Sequence, residues 1–119
     1  MGRVNVKVNL ANPISPSTKN LESLALVDTR ATFTTIPRHV FEKLRLSITG
    51  KRKVRTATQV ETLEESFASV EIEGNLAVTP VLVSDTFEKV LVGVITLESL
   101  ALTVNPTTGK LEEAETYLL

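Results

Sequence analysis

The sequence predicts one mostly β domain with two short helices, and three observations carry that reading. Several stretches alternate apolar and polar residues with period two, as half-buried strands do. Clusters of Pro, Gly, Asn and Ser punctuate them at turn positions. A strand, loop, short helix, strand layout also occurs twice, once through Asp28 and once through Gly93, weak residue by residue but clear in arrangement.

"RVNVKVNL" (3–10) sets Val4, Val6, Val8 and Leu10 against Asn5, Lys7 and Asn9, the pattern of a first strand. "ANPISPSTKN" (11–20) reads as a loop, and "LESLALV" (21–27) as a second strand paired with the first, fully apolar as it nears Asp28. Pro37 suits the first turn of a helix, where its missing N–H is no loss. Val40, Phe41 and Leu44 then form one apolar helical face. "KRKVRTA" and "EESFASVEIE" are two further strands separated by "TQVETL", with Val70 and Ile72 inward. Gly74-Asn75 signals a hairpin, since both residues tolerate positive φ. "LAVTPVLVSD" is the next strand, with Pro80 expected at an edge or bulge. "KVLVGV" is an apolar strand ending at a glycine, "TLESLAL" a short helix capped by Thr96, and "LTVNPTTGKLE" a hairpin turning around Asn105 to Gly109.

Composition removes several classes of function. The 119 residues suit a single domain, 1–119, and the 42% hydrophobic content is that of a folded chain. Apolar runs stop far short of the ~20 residues that span a bilayer, and Arg3, Asn5 and Lys7 interrupt any leader-like stretch. A cytoplasmic protein without membrane contact is expected. Without cysteine there is no disulfide, thiolate nucleophile or Cys-based metal site. The single histidine, His39, reads as a surface helical residue and cannot build a metal site alone. A net charge of −1 gives no overall pull toward nucleic acid. "GKRKVR" (50–55) is the local exception. It reads as a solvated hairpin arm rather than a phosphate site, since the P-loop glycine and Ser/Thr are missing.

The chain resembles the retropepsin-like aspartic proteases, the small dimeric relatives of retroviral proteases, over most of its length. "ALVDTRATFTTIP" is similar to that family's apolar strand followed by Asp-Thr-Gly-Ala/Ser. "VLVGVITLESLALTVNPTTGKL" is similar to its second signature, with Leu91, Val92 and Gly93 before a short helix. "VRTATQVETLEESF" lies where the family keeps its flap hairpin. The resemblance implies an acid-protease barrel with one lobe per chain, no cofactor and no metal. It implies a homodimer acting on a peptide or protein substrate, because each chain supplies one Asp28 to a pair that shares a proton. By the same resemblance Thr29 bonds across the two-fold axis, Ala31 lines the cleft, and Leu91 and Val92 pack beneath the loop. Ala57, Thr58, Gln59 and Val60 form the flap over the substrate.

Arg30 departs from the family pattern, in which glycine is the rule. If the backbone there needs positive φ, a side chain costs roughly 1–2 kcal/mol. A guanidinium within ~4–6 Å of a carboxylate also holds it ionised to lower pH. Two such groups would remove the shared proton, unless Arg30 turns away from the cleft. Two functions follow: an aspartic endopeptidase weakened by Arg30, or a catalytically silent dimer that binds peptides or partner proteins. A cleft-free adapter is a third.

Overall fold

The computed structural model describes residues 3–15, 18–116 and 118. Pro16 and Ser17 of the expected loop, and Met1, Gly2, Tyr117 and Leu119, lie outside the described residues. Strand β1 (Arg3–Ala11) pairs antiparallel with β2 (Leu21–Asp28), Val4 facing Val27 and Leu10 facing Leu21. β3 (Thr34–Pro37) leads directly into helix α1 (Arg38–Lys43), with Pro37 as its N-cap. A hairpin of β4 (Gly50–Arg55) and β5 (Val60–Ile72) follows, then β6 (Asn75–Ser84) and β7 (Val90–Val92). Helix α2 (Val94–Ser99) and the small two-stranded sheet of β8 (Leu102–Val104) and β9 (Leu111–Glu113) complete the order.

The strands run β1-β2-β7-β3-β6-β5, and β5 pairs back onto β1 through Leu10 and Val70, so the sheet closes as a barrel. Closure is possible because β5 is 13 residues long. One edge binds β4 over Val60–Glu65 and then β1 over Ser69–Glu71, while the other edge binds β6. The interior is filled by Val8, Leu10, Val27, Ile36, Val70 and Val83, each at most 1% exposed. β-branched side chains suit this pleated, close-packed surface, and each fully buried one contributes about 1.5–3 kcal/mol.

The repeat of layout is an approximate two-fold relation. A shift of 56 positions carries α1 onto α2 (38 to 94) and their C-caps, Leu44 and Leu100, onto each other. The same shift exchanges the parallel pairs Ala25–Val90 and Val81–Thr34, and maps the central antiparallel pair Thr35–Leu91 onto its own two members. Beyond each helix the next residue, Arg45 or Ala101, adopts φ of 54° or 56°. Each donates its N–H back into the last turn, to Glu42 or Glu98, as left-handed C-terminal caps do.

Three expectations are corrected. Thr96 is not a cap: Gly93 is the N-cap of α2, and Thr96 lies inside the helix with 0% exposure. The hairpin after β5 turns on Glu73 (φ 52°) and Gly74 (φ 83°), with Asn75 already paired to Ile72. A two-residue turn with both φ values positive matches strand twist, and this one places them one residue earlier than the Gly-Asn pair suggests. "TQVETL" is mostly strand, since β5 begins at Val60. Pro80 sits opposite Phe67 within β6, just before β3 begins to pair at Val81, so its missing N–H faces an open edge.

Candidate active site

Asp28 ends β2, opposite Arg3 in register, and is 7% exposed. The chain turns directly after it. The Ala31 N–H donates to the Asp28 carbonyl at 3.1 Å, and the Arg30 N–H donates to Asp28 Oδ1 at 2.9 Å. An aspartate stabilises such a turn because its side chain mimics a backbone acceptor two residues on. The turn is fixed in one place, and with it the carboxylate. At the position reached by the 56-residue shift, Ser84 Oγ accepts N–H bonds from Thr86 and Phe87. The two halves therefore build the same kind of turn, from a carboxylate in one and a hydroxyl in the other.

The loop is locked from below by the start of α2. The Val94 N–H donates to the Ala31 carbonyl at 2.8 Å and the Ile95 N–H to the Thr32 carbonyl at 3.0 Å. This approach requires glycine at position 93, where a Cβ would lie 2.6 Å from both the carbonyl carbon and oxygen of Phe33. The Gly93 N–H donates to Thr34 Oγ1, and Thr34 shares a hydroxyl hydrogen bond with Thr96, which shares another with Thr79. All three threonines are 0% exposed. Their hydroxyls satisfy one another, so β3, β6 and α2 meet without an unpaired buried polar atom.

Arg30 turns toward Asp28. Its Nε lies 3.3 Å from Asp28 Oδ1, while its side chain remains 73% exposed. Arg30 is also absent from the positive-φ residues among those described, so its backbone does not require glycine. The strain expected under a positive φ does not arise.

A cleft of about 530 Å³ lies between this loop and the β4–β5 hairpin. Arg30, Ala31 and Phe33 line one side, Val54 and Leu63 the hairpin side, and Leu91 the floor. Asp28 is not among the lining residues, and Thr29 is exposed beside the turn. Of the second signature, Val92 is fully buried and Leu91 half-buried beneath the loop. Ala57, Thr58, Gln59 and Val60 form the exposed tip of the hairpin. The tip is shaped by Thr56, whose N–H donates to the Gln59 carbonyl and whose Oγ1 accepts from the N–H groups of Thr58 and Gln59. Of these residues Arg30, Ala31 and Leu91 line the cleft, whereas Asp28, Thr29, Val92, Gly93 and the tip from Ala57 to Val60 do not.

Sequence reasoning missed what joins hairpin to loop. The Arg52 guanidinium lies 4.4 Å from the centre of the Phe33 ring and donates through Nε and Nη2 to the two oxygens of Glu65. Arg38 likewise ties α1 to Glu64 at 2.7 Å and to Asp85 at 2.8 Å. The hydrogen bond from Arg38 holds the Asp85 carboxyl below its ordinary range and raises the guanidinium further above its own. Charge alternation along β5 was the available signal: consecutive Glu64 and Glu65 face opposite sides, and each finds a different arginine. His39 is exposed on α1. Among the described residues no cluster of His, Cys, Asp and Glu could hold a metal, and no helix is long and apolar enough to cross a membrane.

No protein-family model matches the chain, and no curated protein matches it. Solved structures do. The foamy viral protease-reverse transcriptase in complex with an RNA/DNA hybrid aligns over 98% of this chain at TM-score 0.61 and 16% identity. This chain spans only 13% of that one's length. The Simian Foamy Virus (mac) protease aligns over 80% of this chain and 92% of its own, at TM-score 0.58 and 15% identity. A retropepsin-like aspartic protease from Rickettsia conorii covers 82% of this chain and 78% of its own, at TM-score 0.52 and 18% identity. The chain therefore has the retropepsin-like acid-protease fold, a β barrel with two short helices in a single lobe.

Proposed function

We propose that two copies of this chain form an aspartic endopeptidase whose catalytic pair is Asp28 from each protomer. The observation that carries the reading is the placement of Asp28. It sits at the end of a barrel strand, in a turn clamped onto α2 whose next residues, Arg30 and Ala31, line a cleft flanked by a hairpin, within a retropepsin-like fold. One chain holds half of the chemistry. Two carboxylates a few ångströms apart cannot both ionise readily, so the pair retains one proton between them. The ionised member takes a proton from a water molecule as that water attacks the peptide carbonyl. The protonated member gives its proton to the carbonyl oxygen. The first aspartate then passes the proton it took from water to the leaving nitrogen, while the second takes one back from a hydroxyl of the intermediate. The C–N bond breaks and the pair again holds one proton. Thr29, exposed beside Asp28, meets its counterpart across the axis, and the hairpin tip from Ala57 to Val60 closes over the bound peptide.

Arg30 restrains this chemistry. Its guanidinium favours the ionised form of the carboxylate it touches, against the shared proton that the pair needs, although its exposure lets solvent screen part of the effect. That contact favours a second reading, a catalytically silent dimer that binds peptides in the same groove. Cleavage of a mixed peptide library by the wild type and by Asp28→Asn, with and without a chelator, separates the two. The endopeptidase reading expects cleavage that ignores the chelator and is lost in Asp28→Asn. Undiminished cleavage by Asp28→Asn would remove Asp28 from the mechanism, and a wild type that binds peptides without cutting them is the silent module.

A further inference from the structure

Arg30 uses little of its hydrogen-bonding capacity. A guanidinium carries five N–H donors in a planar fork. Among the described residues only Nε is engaged, on Asp28 Oδ1, and the side chain is 73% exposed on the cleft wall. The Nη edge is open to whatever enters the cleft. Arg52, a second guanidinium on the cleft, is already committed to both oxygens of Glu65 and to the face of Phe33. Lys53 and Arg55 border the same cleft on the opposing hairpin and make no ion pair among the described residues. Glu61 is the single carboxylate among the lining residues.

We propose that the cleft selects an extended peptide bearing an acidic side chain, whose carboxylate is received by the open Nη edge of Arg30. The inference deepens the peptide-groove reading above and rests on it. A carboxylate matches the guanidinium fork with two parallel hydrogen bonds, which an ammonium point charge on the wall would not provide. Lys53 and Arg55 line the same cleft and outnumber Glu61, so the cleft walls carry a positive excess, whose attraction reaches over ~10 Å at ordinary salt. The same carboxylate competes with Asp28 for the guanidinium. An acidic ligand therefore loosens the contact that restrains Asp28, while a neutral ligand leaves it in place.

The test is fluorescence anisotropy with short labelled peptides that differ only in a central Glu, Gln or Lys, each checked for integrity by mass after the measurement. Exposed charge pairs each contribute about 0.2–1 kcal/mol, so the Glu peptide should bind the wild type about fivefold tighter than the Gln peptide at low salt. The preference should shrink as salt rises, fall below about twofold in Arg30→Gln, and survive in part in Arg30→Lys, which keeps the charge but loses the fork. Equal affinity for the Glu and Gln peptides overturns acid selection and leaves the peptide groove standing. A preference that persists undiminished in folded Arg30→Gln assigns it to other cations and also overturns the inference. If none of the three peptides binds, the groove reading falls and this inference falls with it.

Discussion

A methyl group on Gly93 would meet the backbone of Phe33 at 2.6 Å and the Ala31 carbonyl at 2.9 Å, contacts that no side-chain motion relieves. Gly93→Ala must therefore push α2 away from the loop that carries Asp28. Overpacking of this kind costs about 1–3 kcal/mol, and thermal melting should show a Tm lower by several degrees. Thr96 makes a second residue-scale prediction. Thr96→Val removes the hydroxyl that links Thr34 and Thr79 and leaves buried polar groups short of a partner, at a cost of about 1–3 kcal/mol. Thr96→Ser keeps the link and should stay near wild type in the same denaturation experiment. At this scale the sequence was uneven. The place of Asp28 at the end of a strand was legible, because the apolar run stops at that aspartate. Thr96 was misread, because a threonine ahead of an apolar helical pattern looks like a cap until the burial of the whole helix is known. The direction taken by Arg30 was not legible at all, since a long exposed side chain answers to its neighbours rather than to its own position.

The elements that frame the cleft are held by arginines. Glu65 and Phe33 take Arg52 between them, and Glu64 and Asp85 share Arg38, so the base of the hairpin is tied both to the Asp28 loop and to α1. Beyond Glu64 the hairpin loses its pairing with β6, and Val60–Leu63 are held by β4 alone. Arg52→Ala removes a cation–π contact of about 0.5–1 kcal/mol together with the carboxylate pair. Amide hydrogen exchange across β4 and the first half of β5 should then quicken severalfold, with the barrel strands unchanged; equal protection in both proteins would show that Arg52 does not anchor the hairpin. The Arg38–Asp85 contact has a pH sign. Because the carboxyl is held below its ordinary value of 3.8, the contact supports the fold above that value and is lost as pH falls through the depressed one. Strand positions were largely readable from alternation, as in β1 and β2. The start of β5 was not, because Glu61, Glu64 and Glu65 interrupt the apolar pattern and their partners lie on distant parts of the chain.

For the whole molecule, the barrel and its approximate two-fold follow from matched halves. Leu26 and Val27 recur as Leu82 and Val83, and Leu44 and Leu46 as Leu100 and Leu102, each after the same shift as the helices. Layout was legible in the sequence for that reason, while the closure of β5 onto β1 depends on long-range pairing that no local pattern carries. Only one half ends its long central strand on a carboxylate, with Asp28 answered by Ser84. Under the proposed mechanism the second carboxylate of the pair comes from another copy of the chain. Light scattering at micromolar concentration should give about twice the chain mass of 13.0 kDa; a clean monomer under those conditions removes the paired-aspartate mechanism. The central claim is that Arg30 holds back an aspartic protease that is otherwise complete. The most direct measurement is the pH profile of peptide cleavage by the wild type, by Arg30→Gly and by Arg30→Gly combined with Asp28→Asn. Arg30 is 73% exposed, so each Arg30–Asp28 pair contributes about 0.2–1 kcal/mol after solvent screening, and a dimer would carry two such pairs. The account predicts that Arg30→Gly cleaves at mildly acidic pH severalfold faster than the wild type, and that the double variant is inactive. An Arg30→Gly protein no faster than a well-cleaving wild type, or a double variant that still cleaves, would contradict it.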